Sequence, residues 1–142
     1  MTVTFFGNRD ASVDIKPKLR KTIIQLITEQ DADNFYVGNN GNFDRMVTSE
    51  LIKLQKEYPH INYGVVLAYF PKENPADELQ NKTLYPESVG NGPARFAICR
   101  RNDWLINNSD IVVTYVKYSF GAAQQYKELA IKKNKKIIEL LE

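Results

Sequence analysis

Short apolar runs of strand length alternate with helical periodicities along the 142-residue chain, and this alternation restricts the fold more than any other feature. Val3 to Phe6 is a β-branched and aromatic run stopped by Gly7. Leu19, Ile23, Leu26 and Ile27 then recur at helical spacing from Pro17 to about Gln30, with Pro17 suited to a first helical turn. Asn34-Phe35-Tyr36-Val37 reads as a second strand, closed by the turn-forming cluster Gly38-Asn39-Asn40-Gly41. Phe43, Met46, Val47, Leu51, Leu54 and Tyr58 mark a second amphipathic helix that ends at Pro59. Tyr63 to Phe70 is almost continuously apolar, as a strand covered on both faces of a parallel sheet must be.

From Pro71 to Pro93 the chain turns polar and rich in Pro, Asn and Gly, too long for an ordinary connection, and reads as a lid, a binding loop or an oligomer contact. Beyond it, Ala94 to about Asn107 reads as helix, Asp110 to Val116 as strand, Phe120 to Lys133 as helix and Lys135 to Leu140 as a last strand. The order predicts one α/β domain over residues 1–142, a doubly wound, mainly parallel five-stranded sheet. Right-handed crossovers put the first strand between the second and the fourth, so a crevice opens between the loops that follow the first and fourth strands.

With 43% hydrophobic residues the chain can bury one core, and two domains would be crowded. Its 19 basic and 17 acidic residues give a charge of only +2, which argues against a nucleic-acid partner for want of a concentrated basic face. Lys132, Lys133, Lys135 and Lys136 cluster where cations complement a helix end, with a phosphate-binding surface as the other reading. Cys99 is the one cysteine, which excludes an intrachain disulfide and a Cys-based zinc site and fits a reducing, cytoplasmic setting. The first residues lack the basic and apolar regions of a signal peptide, and no apolar stretch is long enough to span a membrane. His60, beside Pro59, reads as a surface residue, and with one histidine no metal site or His-based nucleophile system is supported.

Three segments carry candidate chemistry. Gly7, Asn8, Arg9 and Asp10 follow the first strand, and the guanidinium of Arg9 suits bidentate recognition of a phosphate or carboxylate. Asn8 and Asp10 are equally ordinary turn formers. Gly38, Asn39, Asn42 and Asp44 lie around the second turn, where amides can address a ribose or base and an acid can accept from sugar hydroxyls; the same residues also serve turns and helix starts. Ser119, Phe120, Gly121 and Ala122 open the last helix: Ser119 can cap it while small residues let a phosphate approach free N–H groups. On the third helix Arg95 and Asn102 share a face with Cys99 and Arg101 is displaced from it, so that one of the arginines can reach the crevice while the others are solvated.

Taken together, Phe6-Gly7-Asn8-Arg9, Gly38 to Asp44, Tyr85-Pro86-Glu87, Pro93 to Ile98 with Arg101 to Ile106, and Ser109-Asp110 leading to Tyr118-Ser119-Phe120-Gly121 resemble the SLOG superfamily over nearly the whole chain, most of all its small YpsA-like proteins from Firmicutes and their phages. The resemblance implies a Rossmann-like sheet with a nucleotide-type ligand above it, and frequent homo-oligomers. Relatives tend to have a glycine pair where this chain has Gly121-Ala122, which narrows the room for a phosphate. LOG-type hydrolases of the superfamily use a glutamate in a glycine-rich motif; the corresponding Ser119 to Gln125 offers amides and no carboxylate, and an amide cannot act as a general base. The expectation is a binder of an ADP-ribose-like or cyclic nucleotide signal, acting as sensor or sponge without turnover and without a cofactor or metal. An N-glycosidase or transferase using Asp10 or Asp44 is the alternative, and a DNA-associated role, as in DprA-like members, the third.

Overall fold

The computed structural model describes residues 1–70 and 82–141. Six parallel strands form one sheet in the order β4-β3-β2-β1-β5-β6. They are β1 (Thr2–Gly7), β2 (Asn34–Val37), β3 (Asn62–Val66), β4 (Thr83–Leu84), β5 (Ile111–Tyr115) and β6 (Lys136–Glu139). The helices are α1 (Lys16–Glu29), α2 (Gly41–Glu57), the single turn α3 (Glu87–Gly90), α4 (Ala97–Asn107) and α5 (Ala122–Lys132).

Alternation along β1 sorts the core into two layers. Val3 and Phe5 face α1 and α2, where Leu19, Ile23, Leu26, Phe43, Val47, Leu51 and Leu54 meet Phe35, Val37 and Val113. Phe6 faces α4 and α5, packing with Leu105, Ile106, Tyr126 and Ala130 against Val66 and Val112. Each such Leu, Ile or Phe removes enough surface from water to stabilise the fold by about 1.5–3 kcal/mol. Arg20 of α1 bridges Glu50 and Glu57 of α2, which is how Glu50 is tolerated with only 4% exposure.

The doubly wound expectation holds, and β1 lies between β2 and β5 as the crossover rule requires. Three boundaries differ. The sheet has six strands, not five, because Thr83 and Leu84 inside the polar stretch pair with Val65 and Val66. The third strand stops at Val66 rather than Phe70. The helix expected from Ala94 opens as a 3-10 turn, Ala94–Phe96, before α4. Of the expected long loop, residues 71–81 lie outside the described residues, and its remainder contains β4 and α3. Among the described residues no helix is long and apolar enough to cross a membrane.

Candidate ligand-binding cleft

The chain visits β1 to β4 in one direction and then crosses back to β5 on the other side of β1, so the strand order reverses between β1 and β5. Ligands of open α/β sheets gather above the carboxyl ends of the strands at such a reversal.

β1 ends at Gly7 because nothing larger fits: a Cβ there would lie 2.3 Å from Cγ of Phe43. The Phe43 ring closes the end of the strand and stacks on Tyr115 at 6.0 Å. The following loop is tied on both sides. Toward β5, the Asn8 N–H donates to the Tyr115 carbonyl at 3.1 Å, Asn8 Oδ1 accepts from the Lys117 N–H at 2.6 Å, and Asp10 Oδ2 accepts from the Tyr118 hydroxyl at 2.8 Å. Toward β2, the Arg9 carbonyl accepts from the Asn42 N–H at 2.8 Å. Gly41 makes this closeness possible, with φ at 90° and Arg9 Cα only 2.7 Å from where its Cβ would stand.

A buried arginine braces the loop between β2 and α2. Arg101, 2% exposed, donates from Nη1 to Asn39 Oδ1 (3.0 Å) and the Val66 carbonyl (3.3 Å), from Nη2 to Asn40 Oδ1 (3.0 Å), and from Nε to Asn102 Oδ1 (2.9 Å). Four of its five N–H groups are thus engaged, and one on Nη2 has no partner among the described residues. Gly38 has no side chain to block this arrangement; a Cβ would sit 2.9 Å from Cζ of Arg101 and 3.0 Å from Oδ2 of Asp44. Burial pulls the Arg101 pKa down, with the Asp44 carboxylate acting in the opposite sense.

Asp44 accepts from the Asn40 N–H at 2.9 Å. Burial pushes its carboxyl up to about 6, against the pull of that N–H and of the Arg101 and Arg9 charges. It is therefore part-protonated near neutral pH and can donate as well as accept a hydrogen bond.

These groups border a cleft of about 130 Å³. Phe6 and Gly7 form its floor, Arg9, Gly38, Asn40 and Asp44 one wall, Ile98, Arg101, Asn102 and Leu105 a second, and Ala122, Ala123 and Tyr126 the third. At the start of α5 the Gln125 N–H is the first to reach an acceptor of its own turn, the Gly121 carbonyl at 3.1 Å, which leaves the preceding amides without one inside the helix. Ser119 does not cap this helix. Gly121 holds the cap position at φ 97° and ψ 176°, a conformation that suits glycine, and among the described residues no side chain caps the exposed amides.

Of the residues singled out in the sequence, the cleft brings together Gly7, Arg9, Gly38, Asp44, Arg101 and Ala122. Asn39 braces Arg101 and faces a neighbouring groove of about 520 Å³ along α2. Asn8 ties the loops, and Asn42 is exposed and accepts from Arg45. Ser119, Phe120 and Gly121 are exposed beside the cleft, and Arg95 lies over the Phe96 ring, 4.9 Å from its centroid. Arg100 is not merely solvated, since it donates to the Val89, Gly92 and Pro93 carbonyls. The burial of Arg101 and Asn102 was missed, although Ile98, Arg101, Asn102, Leu105 and Ile106 follow the spacing of one helix face. A wider, open hollow of about 700 Å³ lies between α4 and α5, and the groove along α2 is open as well. Among the described residues no three or more His, Cys, Asp or Glu side chains group to hold a metal.

No protein-family model and no curated protein matches the chain. Among solved structures, the X-ray structure of DNA processing protein A (DprA) from Streptococcus pneumoniae matches with a TM-score of 0.70 at 18% identity, covering 97% of this chain. The chain shares with that structure a Rossmann-like α/β fold with a parallel sheet. This chain spans 49% of the length of the DprA chain, so the likeness concerns about half of that protein and, at this identity, its fold alone. The cleft lies at the carboxyl end of the first strand.

Proposed function

We propose that this chain binds a nucleotide-derived small molecule, an ADP-ribose-like or cyclic nucleotide signal, in the cleft between β1 and β5, and acts as a sensor or sequestering protein without turnover. One observation carries the reading: Arg9, Arg101 and the first residues of α5, Ala122 and Ala123, line one small hollow at the strand-order reversal. Three sources of positive potential from separate elements suit a phosphate or phosphodiester. On this reading the chain is a single YpsA-like ligand-binding domain that works in the cytoplasm, commonly as a homo-oligomer.

The test is mass spectrometry of small molecules released when the freshly purified protein is denatured, followed by thermal shifts with ADP-ribose, cyclic ADP-ribose isomers, cyclic oligonucleotides and NAD. A ligand at a hundred times its Kd stabilises the folded state by about 2.7 kcal/mol and raises Tm by several degrees. No released molecule and no shift across the panel would overturn the proposal.

Asp44 favours a second reading, an N-glycosidic hydrolase or transferase. A carboxyl with its pKa raised to about 6 beside a sugar-phosphate site is suited to protonate a leaving base near neutral pH. Asp10 is less suited, because its carboxylate accepts from Tyr118 on an exposed loop. This reading requires free base from a nucleotide panel, lost in Asp44→Asn with binding retained. The likeness to a DNA processing protein favours a third, DNA association; absence of a salt-sensitive gel shift with single-stranded DNA at low ionic strength removes it.

A further inference from the structure

We propose that the stacked pair Tyr118–Phe120 is the platform on which the flat ring of the cleft's ligand lies, so that the ligand straddles the rim with its anionic end inside and its base outside. The inference rests on the nucleotide-binding reading and adds where the base goes.

Size makes the first argument. Pockets that enclose a drug-sized ligand run to about 300–1,000 Å³, whereas this cleft measures about 130 Å³. A phosphate with part of a sugar fits; a whole nucleotide does not. Chemistry makes the second. The side-chain oxygens of Asn39, Asn40 and Asn102, the obvious readers of a base edge, are engaged by Arg101. With those oxygens engaged and the volume taken up by sugar and phosphate, a flat contact on the rim completes the site for the base.

Among the described residues, one exposed aromatic pair on the rim is joined to the cleft at both ends. Phe120 is 72% exposed, and its ring stacks on Tyr118 at 5.5 Å and 26°. Phe120 stands two residues before Ala122, which lines the cleft, and Tyr118 bonds to Asp10, next to the cleft-lining Arg9. The hydroxyl bond fixes Tyr118, and through the stack Phe120 is held with one ring face toward water. An apolar ring kept exposed in that orientation has a natural occupant in a nucleobase, whose π-face stacks without sequence preference. Phe70 and Tyr85 also pair, at 5.7 Å, but none of their described neighbours in sequence lines the cleft.

The test is isothermal titration of the full chain with three probes sharing a phosphoribosyl group: AMP, CMP and ribose 5-phosphate. Binding should weaken in that order, because a purine stacks over more area than a pyrimidine and the last probe has no ring. Phe120→Ala should weaken AMP on the order of 10-fold while leaving ribose 5-phosphate unchanged, and Phe120→Trp should restore AMP. Circular dichroism checks that both variants, altered at an exposed position, remain folded. An unchanged AMP to ribose 5-phosphate ratio in Phe120→Ala overturns the platform. Equal binding of AMP and ribose 5-phosphate to the unaltered protein also overturns it and leaves the anion cleft standing. Binding of neither ends both readings.

Discussion

Replacing Asp44 by Asn should change how stability depends on pH, with a sign and size that follow from the carboxyl's surroundings. In the folded chain the group is held near pKa 6, against 3.8 when unperturbed. Below pH 3.8 both states carry the proton and the shift has no effect. As pH rises from there toward 6 the unfolded chain releases its proton first, so the folded state loses stability relative to it. Above 6 both are ionised and the loss is complete. At 1.36 kcal/mol per pKa unit it amounts to about 3 kcal/mol. Asparagine keeps the size of the side chain and an acceptor for the Asn40 N–H but cannot ionise. The two proteins should be unfolded in urea at intervals from about pH 3.5 to about pH 8. The stability of the Asp44→Asn variant minus that of the unaltered chain should be flat at the acid end, rise by about 3 kcal/mol between the two pKa values, and level off near neutrality. Taking the difference removes the other carboxylates, including Asp33, whose pKa is lowered by the N-terminal ammonium and whose contribution runs the opposite way. A flat difference, or one that falls with pH, would refute the idea that burial outweighs the Arg101 and Arg9 charges at this site.

Arg101→Met should destabilise the chain by about 3–5 kcal/mol in urea unfolding, since it strands Asn39, Asn40 and the Val66 carbonyl beside a buried carboxylate; Arg101→Lys should recover only part of this, because one ammonium cannot reproduce the planar fork. Gly7→Ala should cost about 1–3 kcal/mol by driving a methyl into the Phe43 ring, and Phe43→Leu in the same chain should return some of it, a non-additivity readable in a double-mutant cycle. Gly121→Ala meets no neighbouring atom and should cost about 1–3 kcal/mol from backbone strain alone, with AMP binding weakened as the α5 amides turn away, as titration would show.

The sheet and its strand order were legible because each long strand and helix carries its own periodicity and right-handed crossovers leave few ways to connect them. β4 was not: two residues, Thr83 and Leu84, are too short to show an alternation, and the pairing that makes them a strand comes from Val65 and Val66. Within the site, Gly7, Arg9, Gly38 and Asp44 could be found from position alone, as residues following central strands. The role of Arg101 was harder to see because a charged residue on an apolar helix face conflicts with the usual pattern, and its justification lies in two asparagines some sixty positions away. The start of α5 was misjudged for a local reason, since Ser119 has the chemistry of a cap while the backbone at Gly121 takes the position itself.

The bonds from Asn8 to Lys117, Asp10 to Tyr118 and Arg9 to Asn42 join three loops that are far apart along the chain. An entrance stitched together in this way is already assembled before any guest arrives. Little conformational freedom is left for a guest to freeze, so association should proceed in one step, with an observed rate that climbs in proportion to ligand concentration and shows no plateau.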